Sequence, residues 1–377
     1  MNIEACNSYL VVDLKKIKNN ITKINKQIGQ NCSIMPVLKG NAYGMGLTEV
    51  AKYLVEECNI NIIANAQVYE SLQLRESGIE CELFVMGGVP YHNIEIAVEK
   101  DIQMPVFNIE FAALVNNEAK KQGKIANLHI KIETGLNRIG VKPGEKTQEL
   151  IEYLKTLSNI KIKGVYTHFI ESEAEDKSYS YKQLGIFKKG LKQIENSGIR
   201  PEYIHTCNAA AVVWFKEAYF NLVRTAGIVL GYDPNIDIKN ILGVESPLTW
   251  KAFVTNVKEI EAGETVGYNR KFTATRKMKV ATLSFGFGDG YIRLLAFNGA
   301  EVLIKGKRAP LIGICMDQTF VDVSDIDKVS INDEVTILGK DGSEEIDIFE
   351  IEKLLGQTYV YPLCMIGQRV KRIYKYN

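Results

Sequence analysis

Short apolar runs and amphipathic stretches alternate along the first two thirds of the chain. The runs are "SIMPVL" from Ser33, "NIIAN" from Asn61, "ELFVMG" from Glu82, "QMPVF" from Gln103, "LHIKIE" from Leu128, "IKGVYTHF" from Ile162, "YIHTC" from Tyr203 and "LVRTAGIVL" from Leu222. Continuous apolar runs of this length, bounded by polar and turn residues, read as parallel strands buried on both faces. Between most of them lie stretches with apolar residues at helical spacing, such as "LTEVAKYLVEEC" and "YKQLGIFKKGLKQIENSG". Eight strands, each followed by helix-like sequence, predict an α/β architecture with a (β/α)8 TIM-like barrel over residues 1–240.

From about Asn240 the pattern changes. Strand-like runs come closer together, "NG" at Asn298–Gly299 is a hairpin signal, and "IKGKRAPLIGI" resembles a second hairpin. Residues 241–377 therefore predict a C-terminal, mostly antiparallel β domain. One late segment, "IDIFEIEKLLG", predicts a helix.

Composition narrows the function classes. With 377 residues, 46% hydrophobic and 24% charged, the chain has material for about two domains with sizeable cores. A net charge of +1 supplies no field to draw the protein to nucleic acid or anionic lipid. No run approaches the roughly 18 apolar residues of a membrane span, and "MNIEACNSYL" has no basic segment followed by an apolar one. The seven cysteines are odd in number and scattered, with no C-x-x-C pair, and the four histidines are scattered too. Neither a disulfide framework nor a metal cage is expected, and a reducing cytoplasm fits.

Catalytic groups of a (β/α)8 barrel sit at the C-terminal ends of its strands. Lys39 ends the run that begins at Ser33; Glu133 and Arg138 follow another run in "KIETGLNRIG"; His168 lies at the end of "VYTHF", Asn208 follows "IHTC", and Arg224 lies inside "LVRTAG". Singly, each reads as an ordinary strand end, loop cap or structural histidine. Their convergence on one rim is what favours chemistry. A lysine in a partly desolvated mouth is disfavoured in its charged form and can condense with a carbonyl. Pyridoxal phosphate is the obvious carbonyl cofactor. Its phosphate needs backbone N–H groups, which the glycines after Lys39 and the "TAG" at Thr225–Gly227 could bring close.

"PVLKGNAYGMG" resembles the cofactor-lysine motif of the alanine racemase family, pyridoxal-phosphate enzymes of the barrel type. "LHIKIETGLNRIGV", "GVYTHF", "HTCNAAA", "LVRTAGIVLG", "GFGDGYIR", "LIGICMDQTFVDVSD" and "CMIGQRVKR" resemble further family blocks in the family's order. The resemblance covers nearly the whole chain, and "KGNAYG" together with "CMDQ" is highly specific. It implies that Lys39 holds the cofactor covalently and moves a proton on one face of Cα, and that Tyr43 reaches the phosphate. It puts Arg138 beside the cofactor's phenolic oxygen, near the substrate, and Arg224 opposite the pyridine nitrogen with His168 supporting it. Lys131 matches a lysine that is carbamylated in many members and steadies the arginine. Asn208, Ala209, Ala226, Gly227 and Gln368 fall at cofactor-contact positions. Met316 and Asp317 match a segment that reaches into the partner subunit's site, where the methionine backbone meets the substrate carboxylate. The resemblance thus implies a homodimer with shared active sites and a small amino-acid substrate, alanine first.

The chain also departs from the family pattern. Gly40 and Met45 replace an alanine and a histidine; Ala209 replaces a serine whose hydroxyl meets the phosphate; Gln368 stands where a tyrosine is often found; Glu133 replaces an aspartate. The largest departure is Phe287, in Gly286-Phe287-Gly288-Asp289-Gly290, where the family carries the tyrosine that serves as second catalytic base. Phenylalanine moves no proton, and losing one positioned acid–base group costs about 10²–10⁴-fold. Several readings stay open: a racemase using Tyr291, Cys315 or water; a one-face enzyme such as an aldolase, lyase or decarboxylase; an engineered tyrosine-to-phenylalanine variant; or a non-catalytic homologue.

Overall fold

The computed structural model describes residues 5–232 and 241–376, in two compact units. One comprises Lys16–Ala42 and residues 47–232 and 241–246; the other gathers residues 5–15, Tyr43–Gly46 and 247–376.

Strand β1 (Ser8–Asp13) belongs to the second unit. The next eight strands form the first: β2 (Ser33–Pro36), β3 (Ile62–Asn65), β4 (Glu82–Val85), β5 (Ile102–Val106), β6 (Ala126–Lys131), β7 (Ile160–Tyr166), β8 (Tyr203–His205) and β9 (Leu222–Thr225). β3 to β8 make one parallel sheet in sequence order, and β2 pairs parallel with β9. The ring closes on one side through a Val37–Ala64 bridge and on the other through the Arg224 N–H, which donates to the Cys207 carbonyl at 3.3 Å. All eight apolar runs thus become barrel strands. The last is shorter than its run: after Thr225 the chain turns, with the Leu230 N–H returning to the Ala226 carbonyl.

The helices lie where the periodicity put them, including Leu47–Cys58 and Ser178–Asn196. Their apolar faces pack with the strands into a continuous core that includes Leu128, Ile130, Ile132, Val165 and Phe187. Side-chain caps fix several starts: Asn108 accepts from the Phe111 N–H, which satisfies a donor the first helical turn leaves open.

The second unit continues with β10 (Leu248–Ile260), β11 (Thr265–Val266), β12 (Phe272–Thr273), β13 (Met278–Leu283), β14 (Glu301–Ile304), β15 (Lys307–Ile314), β16 (Thr319–Asp322), β17 (Glu334–Asp341), β18 (Glu344–Ile346) and β19 (Lys371–Lys375). Its main sheet runs β18-β17-β14-β15-β16-β13-β10-β1-β19, and a further β17–β10 pairing closes six of these strands on themselves. Pairing is antiparallel except between β1 and β19. The segment "IDIFEIEKLLG" supplies helix Ile348–Leu355, capped by Asp347 and ended by Gly356 in the left-handed region.

Two sequence expectations need amendment. Asn298–Gly299 does not join two strands. It follows a 3-10 turn, Arg293–Phe297, because the Ala300 N–H turns back to the Leu295 carbonyl. The second expected hairpin, in "IKGKRAPLIGI", does form: it joins β14 to β15 through Lys305 and Gly306, both at positive φ, the geometry that suits strand twist. The first strand also sits apart from the barrel that residues 1–240 were expected to form: β1 pairs with β10 and β19. Among the described residues no helix is long and apolar enough to cross a membrane.

Candidate active site

Lys39 lies three residues beyond the end of β2, where hydrogen bonds on either side of Leu38 set its backbone. The Leu38 N–H donates to the Ala64 carbonyl at 2.8 Å, and the Asn65 amide donates to the Leu38 carbonyl at 3.0 Å. The next residue, Gly40, begins a left-handed run through Asn41, Ala42 and Tyr43 to Gly44, with φ between 51° and 80° throughout. Such a run costs L-residues energy and persists only where surroundings enforce it. Glu70 supplies one restraint. Its carboxylate accepts from the N–H groups of Gly40, Ala66 and Gln67, tying the turn after β2 to the turn after β3. Asn41 supplies another by accepting from the Leu47 N–H at 2.8 Å. Gly44 has a reason beyond its positive φ to be glycine: a Cβ there would stand 2.2 Å from the Leu363 carbonyl oxygen.

Around Lys39 the barrel gathers positive charge. Arg224 Nη2 lies 3.4 Å from His168 Nδ1, and the charges of Lys131, Arg138 and Lys39 also disfavour a proton on that imidazole. Burial first, and then the Arg224 charge, hold that imidazole well below its ordinary range, so it is neutral. Arg224 is buried, and its partners are carbonyls and imidazoles: the Thr167, His205 and Thr206 carbonyls, His205 Nδ1 at 2.8 Å and His168 Nδ1 at 3.4 Å. No carboxylate forms an ion pair with it among the described residues. Burial lowers its pKa to about 10, which still leaves it charged at neutral pH. Lys131 is buried beside Tyr166, its Nζ 4.8 Å from the ring centroid. Desolvation, then Arg224, holds its amine well below the usual lysine range; Glu133 opposes the shift and Arg138 adds to it.

The remaining expected residues of this unit lie at the same strand ends. Arg138 is exposed on the loop after β6, whose base is held by hydrogen bonds between Glu133 and Val141 and between Val141 and Lys131. Asn208 Oδ1 accepts from the Ala211 N–H and the Ser172 hydroxyl, and Ala209 begins the short helix that follows. Ala226 and Gly227 open the turn after β9, and beside them Thr225 Oγ1 is buried with no hydrogen-bond partner.

The second unit assembles its own group. The Phe287 N–H donates to the Cys315 carbonyl at 3.1 Å, and the Gly288 N–H to the Met316 carbonyl at 2.8 Å. Arg369 joins Asp289 and Asp317, at 3.0 and 2.7 Å. Phe287 and Met316 are 41% and 55% exposed. Gln368 is exposed next to Arg369, and Tyr43 is buried at the end of the left-handed run. Tyr291, by contrast, is buried against Phe285 and Trp250, and burial pushes its phenol far above the ordinary range.

These donors fit pyridoxal phosphate. The group brings an aldehyde, a phosphate and a pyridine nitrogen. A strand-tip lysine, a surplus of cations over carboxylates, an unpartnered buried hydroxyl and a buried guanidinium answer those features.

Comparison with known proteins settles the family. Residues 12–234 match the model of the alanine racemase N-terminal domain, and residues 247–374 that of its C-terminal domain. The chain belongs to the alanine racemase family. An alanine racemase from Methanococcus maripaludis is 37% identical over 365 residues, covering 96% of this chain and 97% of that protein. The structure of the Clostridium difficile alanine racemase superposes with a TM-score of 0.94 at 32% identity, over 99% of this chain and 96% of that one. An alanine racemase from Bartonella henselae, solved with covalently bound pyridoxal phosphate, gives a TM-score of 0.87 at 25% identity, over 98% of this chain and 100% of that one. Within this family member, sequence reasoning missed His205, Gln103 and His129, which continue the contacts of Arg224 inward. Their signal was a polar residue inside each of three doubly buried strands.

Proposed function

We propose that this protein interconverts the enantiomers of a small amino acid, alanine first, and that Lys39, Arg138, His168 and Arg224 carry the site. By family it is a pyridoxal-phosphate-dependent racemase, an isomerase. The observation that carries the residue assignment is the gathering of basic side chains around His168 at the strand tips: Arg224, Lys131, Arg138 and Lys39 all act against a proton on its imidazole.

When bound, the cofactor withdraws electrons from Cα and so acidifies its proton. The chain's residues do the rest. Lys39 holds the cofactor and carries a proton on one face. Arg224 cannot readily surrender a proton, so it leaves the pyridine nitrogen unprotonated and restrains the electron sink. Tyr43, Asn208, Ala209, Ala226, Gly227 and Gln368 are the proposed surroundings of the cofactor. Lys131 is the proposed carbamate former, because a lysine held neutral by burial is nucleophilic towards carbon dioxide; the resulting anion would face Arg138. Met316 and Asp317 are the proposed substrate contacts.

Phe287 is proposed to stand at the position of the second base. Burial of Tyr291 against Phe285 favours Cys315, whose carbonyl holds the Phe287 N–H, or water over Tyr291 as the substitute proton carrier. The protein is further proposed to be a cytoplasmic homodimer, in which the Met316–Asp317 segment of one protomer serves Lys39 of its partner. Exposure of Phe287 and Met316, and scattered cysteines that form no disulfide among the described residues, support this reading. Sedimentation tests the dimer, and a fully active monomer would end it.

The function is tested by incubating the holoenzyme with L-alanine, D-alanine and L-serine in D₂O. Cα deuteration with appearance of the opposite enantiomer is expected for alanine. Exchange without inversion would mark a one-face enzyme, and no exchange a non-catalytic homologue.

A further inference from the structure

A single line of hydrogen bonds crosses the barrel interior from the start of β4 to β9. Lys163 pairs with Glu82 at its outer end. Gln103 Nε2 donates to Glu82 Oε2 at 2.5 Å, and Gln103 Oε1 lies 2.6 Å from His129 Nε2. His129 Nδ1 lies 2.8 Å from His205 Nε2, and His205 Nδ1 lies 2.8 Å from Arg224 Nη1. Gln103, His129, His205 and Arg224 are all buried.

The two ends dictate one direction. A guanidinium only donates, so His205 Nδ1 must accept and His205 Nε2 must carry the proton. His129 Nδ1 then accepts, and His129 Nε2–H donates to the Gln103 carbonyl oxygen. At the other end a carboxylate only accepts, which turns the Gln103 amide nitrogen toward Glu82 and its oxygen toward His129. Both ends therefore demand the same tautomer of both histidines. Ring packing fixes their planes: Phe84 stacks on His129 at 4.1 Å, and Tyr166 lies parallel to His205 at 5.0 Å.

We propose that Gln103, anchored by Glu82, is a positioning residue for the cofactor site: it locks His129 and His205 in the Nε2–H form and so holds Arg224 in place as an obligate donor toward the pyridine nitrogen. This rests on the reading of Arg224 given under Proposed function. With His205 protonated on Nδ1 instead, an N–H would face the guanidinium and push it out of line.

The test is ¹⁵N NMR of histidine-labelled full-length protein, with and without pyridoxal phosphate, beside the visible spectrum and kinetics of the holoenzyme. In the wild type, His129 and His205 should each show a protonated Nε2 and a bare Nδ1. Gln103→Leu strands the His129 Nε2–H without an acceptor and leaves Arg224 as the one end setting the direction, so Nδ1–H forms of both rings should rise, the cofactor absorbance should shift, and kcat should fall by about tenfold, in the range found for supporting residues behind a site. An Nδ1–H tautomer at either wild-type histidine would overturn the inference, even if Gln103→Leu fails to fold. So would a folded Gln103→Leu with the wild-type ¹⁵N pattern, spectrum and rate. Arg224→Lys in parallel separates the two claims. An unchanged spectrum and rate there would overturn the reading of Arg224 itself. A changed spectrum there, with an unperturbed Gln103→Leu, would overturn the relay alone.

Discussion

A Cβ built on Gly164 would stand 2.2 Å from His129 Nδ1, so the glycine on β7 is what leaves room for the imidazole inside the barrel. The neighbour is a ring wedged by Phe84, which cannot swing aside as a flexible side chain would. Gly164→Ala should therefore overpack the interior and destabilise the protein by about 1–3 kcal/mol. Urea unfolding would show this as a lower midpoint; an unchanged midpoint would mean that His129 has another place to go.

Acid should weaken the fold through its buried imidazoles. Burial, with help from Lys163 and Arg224, lowers His129 to about 3, and burial with Arg224 holds His205 well below the usual range. Unfolded histidines bind protons from about pH 6.5 downward. The unfolded state therefore carries more protons between about pH 6.5 and 3, and stability must rise with pH across that window. Going from pH 7 to pH 5 should cost about 2 kcal/mol through His129, with His205 acting in the same direction. His129→Gln, compared with wild type by urea unfolding at both pH values, should show a shallower dependence; an identical slope would place the proton uptake elsewhere.

Lys39→Ala should abolish the visible absorbance of the purified holoenzyme and all racemisation, because no other amine ends β2. Borohydride reduction followed by peptide mapping checks the linkage directly. A reducible cofactor attachment persisting in Lys39→Ala would assign the lysine role to another residue.

Phe287→Tyr restores a phenol at a position 41% exposed. If that position lacks its second base, racemisation should rise by an order of magnitude or more, within the range of about 10²–10⁴-fold for a positioned acid–base group. Cys315→Ala made alongside should slow the wild-type reaction if its thiol has taken over. Deuterium exchange that is equally fast for both alanine enantiomers, with no gain from Phe287→Tyr, would sink the missing-base account.

Much of this was legible in the chain itself. The eight apolar runs became eight barrel strands because a parallel strand covered on both faces has no polar alternation to hide it, and Lys39, His168 and Asn208 fell at strand ends by simple counting. The helix at Ile348–Leu355 announced itself through Asp347 and Gly356, local signals that need no tertiary partner. Other features depended on residues far apart in sequence. Strand β1 finds its partners more than 230 positions away in β10 and more than 350 away in β19, and no local pattern encodes that pairing. Asn298–Gly299 looks like a hairpin turn until the Ala300 N–H chooses Leu295. The neutrality of His168, the depressed amine of Lys131 and the one-way line from Arg224 to Glu82 arise from burial and from charges on different strands. Sequence fixes which titratable groups exist; only the closed barrel decides which of them lose their water and which face one another, and those two facts set their protons.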